Sequence, residues 1–258
     1  MPPSSNRLLL VSAAVLVAIF LAWFFWQVTA LRQESEYHEF QYRVSLSTRS
    51  VLGNVTLLLP VPFVHNTSPQ GEALAKGEGY GIPPSWRLSL ERVNETPMLK
   101  VVAGEIAPEY HGYPVPLEPG SSPVQTPPPT ATAYSPGTPV LIPLEFDIVQ
   151  RVPQSIDTQN PIGREPLLAN PESVRPVPCQ DQPFSGRCYR YTVPVYVEYS
   201  SRDAGNITIF ISGGGMNQWW AGGWSGNSYG DTLDITLENN RQGWVQADGF
   251  LSTGNGRY

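Results

Sequence analysis

Apolar residues follow two patterns along the chain, which divide it into a membrane segment and a β-rich region. The stretch Leu8–Leu31 has no charged side chain and lies between Arg7 and Arg32. A helix needs roughly twenty apolar residues to cross a hydrocarbon core of about 30 Å, and this stretch is longer. A helix also satisfies its own backbone hydrogen bonds in lipid. The pattern therefore predicts one transmembrane anchor. Trp23–Trp26 lie near its C-terminal end, where aromatic side chains favour the headgroup interface.

The charges that flank the anchor predict its orientation. Arg7 and the free amine stand on a very short N-terminal side, whereas three glutamates follow Arg32 within seven residues. Because positive charge stays on the cytoplasmic side, residues 1–7 are predicted to be a cytoplasmic tail. Residues 8–31 then cross the lipid bilayer, and residues 32–258 form an extracellular domain of a single-pass cell-membrane protein.

Two other interpretations of the apolar segment stay open. The tripeptide Val28-Thr29-Ala30 offers small residues where a signal peptidase would cleave. The apolar core of a signal peptide is usually about 7–15 residues, which favours an uncleaved anchor. A buried helix of a soluble domain would rarely be apolar on every side.

Beyond the anchor, apolar and polar residues alternate in short segments, the pattern of a half-buried β-strand. Turn residues separate the segments, and Gly53-Asn54 predicts that the first two form a hairpin. Short strands without a long soluble helix predict an all-β fold, an antiparallel β-sandwich. The predicted strands are Phe40–Leu46, Val55–Val61, Trp86–Leu90, Met98–Ala103, Val140–Val149, Tyr191–Tyr199, Ile207–Ile211, Leu233–Leu237 and Trp244–Leu251.

Proline dominates the middle of the chain. Residues 108–183 hold 18 of the 27 prolines, most densely in Pro114–Pro139. Proline has no N–H and a fixed φ, which excludes central strands and favours extended loops. The loops are either a flexible linker or ordered parts of the domain. Apolar residues such as Tyr110, Tyr113 and Tyr134 favour ordered loops that wrap it.

The charge of the chain limits which partners it can bind, and its cysteines indicate the redox compartment. The chain has 22 acidic and 16 basic residues and no run of Lys or Arg, so nucleic acid is not predicted as a partner. Cys179 and Cys188 enclose a turn-forming loop, which predicts a local disulfide in an oxidising exterior. The alternatives are a metal pair or a catalytic thiol, for which the sequence shows no adjacent histidine or base.

Four tripeptides match the N-glycosylation acceptor pattern, which is consistent with export. Pro97 follows the third of them and weakens it. The candidate asparagines are Asn54, Asn66, Asn94 and Asn206.

Four phrases of the sequence resemble single-span, exported archaeal surface proteins of unknown function. The resemblance implies the same topology and localisation, and it implies no activity, cofactor or site residue. The phrases are Asn54–Pro62, Gly79–Trp86, Glu109–Pro114 and Gly243–Gly249.

The sequence shows no motif that identifies a reaction. His38, His65 and His111 are far apart, and no zinc-protease, serine-hydrolase or phosphate-loop pattern occurs. We therefore expect a non-catalytic binding or envelope-associated module without a cofactor. The alternative is an exported hydrolase that acts on glycans or peptides, because a catalytic triad is assembled in space.

The most unusual segment is Ser212–Gly226, where tryptophans lie among glycines and amides. Indole rings stack on sugars or on apolar protein surfaces, and glycine lets a ligand approach the backbone. The segment therefore predicts a binding loop for an envelope glycan or another membrane protein. The alternative is a structural loop held by buried tryptophans, while Trp86 and Trp244 are expected in the core. The candidate binding residues are Asn217, Gln218, Trp219, Trp220 and Trp224.

Three acidic residues near the next predicted strand are candidates for a Ca²⁺-binding site. Asp231, Asp234 and Glu238 are expected on one strand face, where carboxylates and loop carbonyls could bind Ca²⁺. The spacing lacks the pattern of a calcium loop, so a solvated strand face is the favoured interpretation and no metal site is predicted.

Overall fold

A computed structural model of the chain describes residues 5–111, 140–179, 186–201, 207–237 and 242–258. Two helices, a 3₁₀ turn and twelve strands lie in these ranges. The helices are α1 (Ser5–Ser35) and α2 (Pro69–Ala75), and the 3₁₀ turn is Pro171–Ser173. The strands are β1 (Tyr37–Thr48), β2 (Leu52–Pro60), β3 (Arg87–Val93), β4 (Thr96–Ile106), β5 (Glu109–His111), β6 (Val140–Ile142), β7 (Leu144–Val152), β8 (Arg175–Val177), β9 (Arg187–Ser201), β10 (Ile207–Trp220), β11 (Trp224–Leu237) and β12 (Gly243–Gly256).

Helix α1 contains the predicted membrane segment. Within the described residues it is the one helix long and apolar enough to cross a membrane, over Ala13–Ser35. Its aromatic residues Trp23–Trp26 are 49–65 % exposed, so the described part of the domain leaves them uncovered. A signal sequence near an N-terminus meets the same criteria of length and composition.

The all-β class is confirmed, with ten strands in one antiparallel sheet. The order across the sheet is β3-β4-β2-β9-β12-β11-β10-β1-β7, and β8 adds to β9 at the side. Strands β5 and β6 form a separate pair. Because all ten strands belong to one hydrogen-bonded sheet, the division into two packed sheets stays a prediction.

The sheet curls until its two edge regions meet across the interior. The Tyr42 hydroxyl on β1 donates to the Pro60 carbonyl oxygen on β2, 2.9 Å away, although four strands separate β1 from β2 in the sheet order. Near the edges, the rings of Trp86 and Phe146 pack edge to face at 6.2 Å. Tyr80 bridges to β7 through paired backbone bonds with Asp147. The curl buries one face of the sheet around a single apolar core.

The predicted hairpin of the first two strands is wrong. Strand β1 pairs with β10 and β7, whereas β2 pairs with β4 and β9. The short, largely exposed connection after Thr48 carries the chain to the facing part of the sheet. The Gly53-Asn54 signal belongs to a β-bulge inside β2, where Asn54 has a φ of +51°.

The interior contains a segment without regular strands, residues 153–174. Its apolar side chains Ile156, Leu167 and Leu168 are buried against the sheet. Gly215 on β10 makes room for this segment, because a Cβ there would lie 2.9 Å from Ile156 and 2.7 Å from the Tyr229 ring. This part of the proline-rich region is therefore built into the domain.

The predicted disulfide is confirmed, and several other predictions fall outside the described residues. Cys179 and Cys188 are bonded, with Cα atoms 5.2 Å apart, next to the pairing of β8 with β9. The densest proline stretch, residues 114–139, lies outside the described part of the chain, as do Asn206 and Glu238.

We predict that Glu95→Gly stabilises the protein by about 0.5–1 kcal/mol. Asn94 and Glu95 form a two-residue turn between β3 and β4, with φ angles of +48° and +69°. Glycine has no Cβ and so removes the steric strain of a positive φ. The free energy gained in this way exceeds the extra backbone entropy that glycine loses on folding. Urea unfolding in mild detergent measures the change.

Asn94→Gly is the control, because asparagine already tolerates a positive φ and should gain less. A lower unfolding midpoint for Glu95→Gly would contradict this account of the turn.

Candidate functional site

The glycine-rich segment that was expected to form a loop is a long β-hairpin. Strands β10 and β11 pair without interruption from Ile207 with Leu237 to Trp220 with Trp224. The turn is Ala221–Gly223, closed by a 3.0 Å bond from the Ala221 N–H to the Gly223 carbonyl oxygen. Strands β1 and β12 flank this hairpin, so tertiary pairing overrides the low strand propensity of glycine.

The hairpin separates the five candidate binding residues onto two faces. Asn217 and Trp219 face inward and are 5 % and 7 % exposed. Gln218, Trp220 and Trp224 alternate onto the outer face, where Trp224 is 65 % exposed. Only the outer three can meet a ligand that approaches the outer face of the sheet.

Asn217 holds the interior segment in place. Its Oδ1 accepts from the Ile156 N–H and its Nδ2 donates to the Ile156 carbonyl oxygen, both at 2.9 Å. Oδ1 also lies 2.8 Å from the His38 Nδ1, and Nδ2 donates to the Asn227 Oδ1 at 2.7 Å. These contacts use the whole amide, so Asn217 is a structural residue.

Trp219 and its neighbour connect the hairpin to the end of α1. The Arg32 guanidinium carbon lies 4.9 Å from the centre of the Trp219 ring, a cation–π contact. The Trp220 N–H donates to the Ser35 Oγ at 2.8 Å. The interpretation of a structural tryptophan therefore fits Trp219.

The outer face of the hairpin carries a groove that the sequence did not reveal. Gly214 on β10 lies directly opposite Gly230 on β11, and the pair leaves a strip of backbone without side chains. We call the cavity over this pair the glycine groove. It encloses about 390 Å³ and adjoins a second cavity of about 340 Å³ that shares Met216 and Ser228 and ends at Trp224.

The walls of the glycine groove carry charges of both signs and combine polar with apolar side chains. Gln41 and Arg43 come from β1, and Asp147 lies opposite Arg43 on β7. Hydroxyl groups line the hairpin side, from Ser212 and Thr232 at one end to Ser228 at the other. The groove thus offers an amide, a cation, an anion and hydroxyls around a bare floor.

The glycines are the sequence feature that could have indicated this groove. In the sequence, the tryptophans indicate a binding platform and the glycines indicate a loop. The side of the sheet on which each glycine lies can be assigned only when Gly214 is known to pair with Gly230. Trp86 is buried as expected, but Trp244 is 47 % exposed and packs at 5.3 Å on the exposed side of Tyr196.

The expected row of acidic residues does not exist. Asp231 points into the core and is 1 % exposed, while Asp234 lies on the opposite, exposed face. Residues three apart on a strand fall on different faces. Among the described residues, no group of three His, Cys, Asp or Glu side chains could hold a metal ion.

Asp231 is instead a second clamp on the interior segment. Its Oδ2 accepts from the Leu168 N–H at 2.8 Å, and its Oδ1 accepts from the Tyr191 hydroxyl. Burial raises the pKa of Asp231 to about 7, although both hydrogen bonds act to lower it. Burial and the Asp231 carboxyl also raise the pKa of Tyr191 far above its usual value.

A smaller cleft brings two titratable residues near each other. His65 and Glu165 line a cavity of about 200 Å³ beside Phe63. Burial raises the pKa of Glu165, and its Oε1 accepts from the Asp157 N–H at 2.8 Å. The hydrolase alternative would find its acid here.

The three described sequon asparagines are all exposed and all have positive φ. Asn54, Asn66 and Asn94 have φ angles of +51°, +62° and +48°. Asparagine is the residue besides glycine that best tolerates this conformation. Turn and bulge geometry explains their presence, and glycosylation at these positions stays a prediction.

Comparison with known proteins does not assign the chain to a group. No family model matches the sequence, and no curated protein and no solved structure matches the chain. The resemblance to archaeal surface proteins therefore stays a prediction.

We predict that Asp231→Asn flattens the pH dependence of unfolding between about pH 4 and pH 7. The folded state keeps a proton on Asp231 up to about pH 7, whereas the unfolded chain releases it near 3.8. Wild-type stability therefore decreases as pH rises through this window, by an amount on the order of 4 kcal/mol. Chemical unfolding at several pH values measures the slope.

The asparagine retains both contacts, since its carbonyl can accept from Leu168 and its amide can donate to Tyr191. Asp234→Asn, on the exposed face of the same strand, should keep the wild-type slope. Identical slopes for Asp231→Asn and wild type would contradict the assignment.

Proposed function

We propose that the protein is a membrane-anchored binding module that holds an extended, polar chain in the glycine groove outside the cell. The observation that supports this proposal is the bare floor formed by Gly214 and Gly230 between walls that combine hydrogen-bonding and apolar side chains. An envelope glycan is the ligand whose chemistry fits best. The anchor is α1, with the domain on the extracellular side.

The groove lining supports a polyhydroxylated ligand. Gln41 and the hydroxyls of Ser212 and Ser228 can each donate and accept hydrogen bonds, as sugar hydroxyls do. Arg43 and Asp147 face each other, so the groove does not select for a strongly charged polymer. This balance also supports the expectation that nucleic acid is not a partner.

The dimensions of the groove support an extended chain over a compact small molecule. The two adjoining cavities follow the hairpin from Thr232 past Met216 to Trp224. Successive outward positions on a strand are about 6–7 Å apart, so the path between these ends is about 25 Å long. Several sugar units could lie along it.

The facing contacts across the interior support two packed layers within the curled sheet. Tyr42 reaches Pro60, and Trp86 reaches Phe146, from opposite parts of the sheet order. We infer a sandwich-like packing that leaves the outer face of β10 and β11 free for the ligand.

We predict that Gly230→Val abolishes glycan binding without unfolding the protein. A Cβ at Gly230 meets only the Ser252 Oγ, at 3.7 Å, so the valine enters the groove without a backbone clash. Binding is measured on an immobilised panel of neutral and uronic-acid oligosaccharides, with full-length protein in mild detergent. The expected result is a loss of at least roughly tenfold in affinity, since the side chain occupies the binding volume.

Gly104→Val is the matched control, because Gly104 is also a strand glycine at which a Cβ meets no close neighbour. Equal binding by Gly230→Val and wild type would reject the groove. Retention of a membrane protein in place of any oligosaccharide would replace the glycan proposal.

The same panel tests the hydrolase alternative. New reducing ends that appear with wild type and not with Glu165→Gln would assign catalysis to the His65 cleft, because the half-buried Glu165 would act as the proton donor. That outcome would also contradict a purely binding role.

A further inference from the structure

We propose that the closed end of the β10–β11 hairpin, Trp220–Trp224, rests in the outer headgroup layer of the membrane beside α1. We call these five residues the hairpin tip. The proposal rests on the membrane anchoring in the proposed function. It adds a second point of contact with lipid, which the glycan site does not require.

The register of the strands brings the tip alongside the end of α1. Helix α1 ends at Ser35 and β1 begins at Tyr37, which pairs with Gln218. The part of β10 that follows Gln218 therefore lies beside α1 and continues towards the N-terminus of that helix. The bond from the Trp220 N–H to the Ser35 Oγ and the Arg32 contact with Trp219 confirm this course.

The reach of the hairpin matches the end of the apolar segment. Gly222 is two residues beyond Trp220, which is at most about 6–7 Å farther along the hairpin because Ala221–Gly223 form the turn. The same distance corresponds to about four residues of α-helix, at 1.5 Å each. From Ser35, four residues lead back to Leu31, where the uncharged segment ends.

The composition and exposure of the tip suit the headgroup layer. It contains two tryptophans, two glycines and an alanine, with no charged side chain. Ala221–Gly223 are exposed, and Trp224 is 65 % exposed although it packs at 6.1 Å on Tyr37. Indole rings prefer this layer because they join an apolar body to a hydrogen-bond donor.

The charges around the tip favour contact with neutral lipid. Arg32 lies over Trp219, and Arg151 lies over Tyr37 at 5.0 Å. Glu34 and Glu36 lie on the same stretch and offset these cations. The contact should therefore form on phosphatidylcholine alone and should not need anionic lipid.

The test places a fluorescent label at the tip of the full-length protein in phosphatidylcholine nanodiscs. Gly223→Cys accepts the label without a clash, since nothing lies within 4 Å of its Cβ and its φ is not positive. Gly104→Cys is the control with the same open surroundings. It lies near the end of β4 that pairs with the start of β2, at the opposite end of the sheet.

We expect a lipid-borne nitroxide to quench the label at position 223 roughly twofold or more over the label at position 104. Equal quenching at the two positions, with the protein held in the nanodisc, would overturn the tip proposal alone. Failure of both labelled proteins to elute with nanodiscs would overturn the anchoring itself.

A second variant separates lipid contact from folding. Trp220→Ser with Trp224→Ser on the Gly223→Cys background should lower the quenching to the level of the control, while the far-UV circular dichroism spectrum and the elution with nanodiscs stay unchanged. Unchanged quenching in this variant would show that the tryptophans do not hold the tip in lipid, and would overturn the proposal.

Discussion

The fold depends on two buried polar side chains that hold a strandless segment across the inside of a curled sheet. Asn217 pairs with both backbone groups of Ile156, and Asp231 accepts from the Leu168 N–H. In an apolar interior an unpaired backbone group costs about 1–3 kcal/mol, so these contacts allow the segment to be buried. Both clamps come from the same hairpin, which therefore supports the core on one face and the groove on the other.

The strands that alternate clearly could be predicted from the sequence, whereas their pairing could not. Tyr191–Tyr199 and Leu233–Leu237 are correctly placed because one face is apolar and the other is polar. The partner of β1 is set by long-range contacts, so the adjacent turn signal at Gly53 led to the wrong hairpin. A period of two carries no information about which strand lies beside which.

The segment Ser212–Gly226 is predicted from the sequence to be a binding loop, whereas the structure shows a paired β-hairpin. The tryptophans attracted attention as a platform, yet Trp219 belongs to the contact with α1. Asn217 looked like a polar contact for a ligand and proved to be a backbone clamp. The groove depends on Gly214 lying opposite Gly230, a register that no local pattern reveals. The floor of the groove is glycine backbone. Because glycine has a low strand propensity, its positions are predicted to be loops.

The attachment of β1 to α1 has a mechanical consequence. Tyr37 follows the helix after one residue, and all twelve residues of β1 pair with β10. In the proposed arrangement, with α1 in the membrane and a ligand in the glycine groove, a pull on the ligand away from the cell would load β10 against β1 along the strand direction. The ladder hydrogen bonds lie across that direction, so the load would shear them together and would not open them one at a time. Strand β7 on the other side of β1 shares the load. The domain is thus connected to its anchor in a geometry suited to bearing tension.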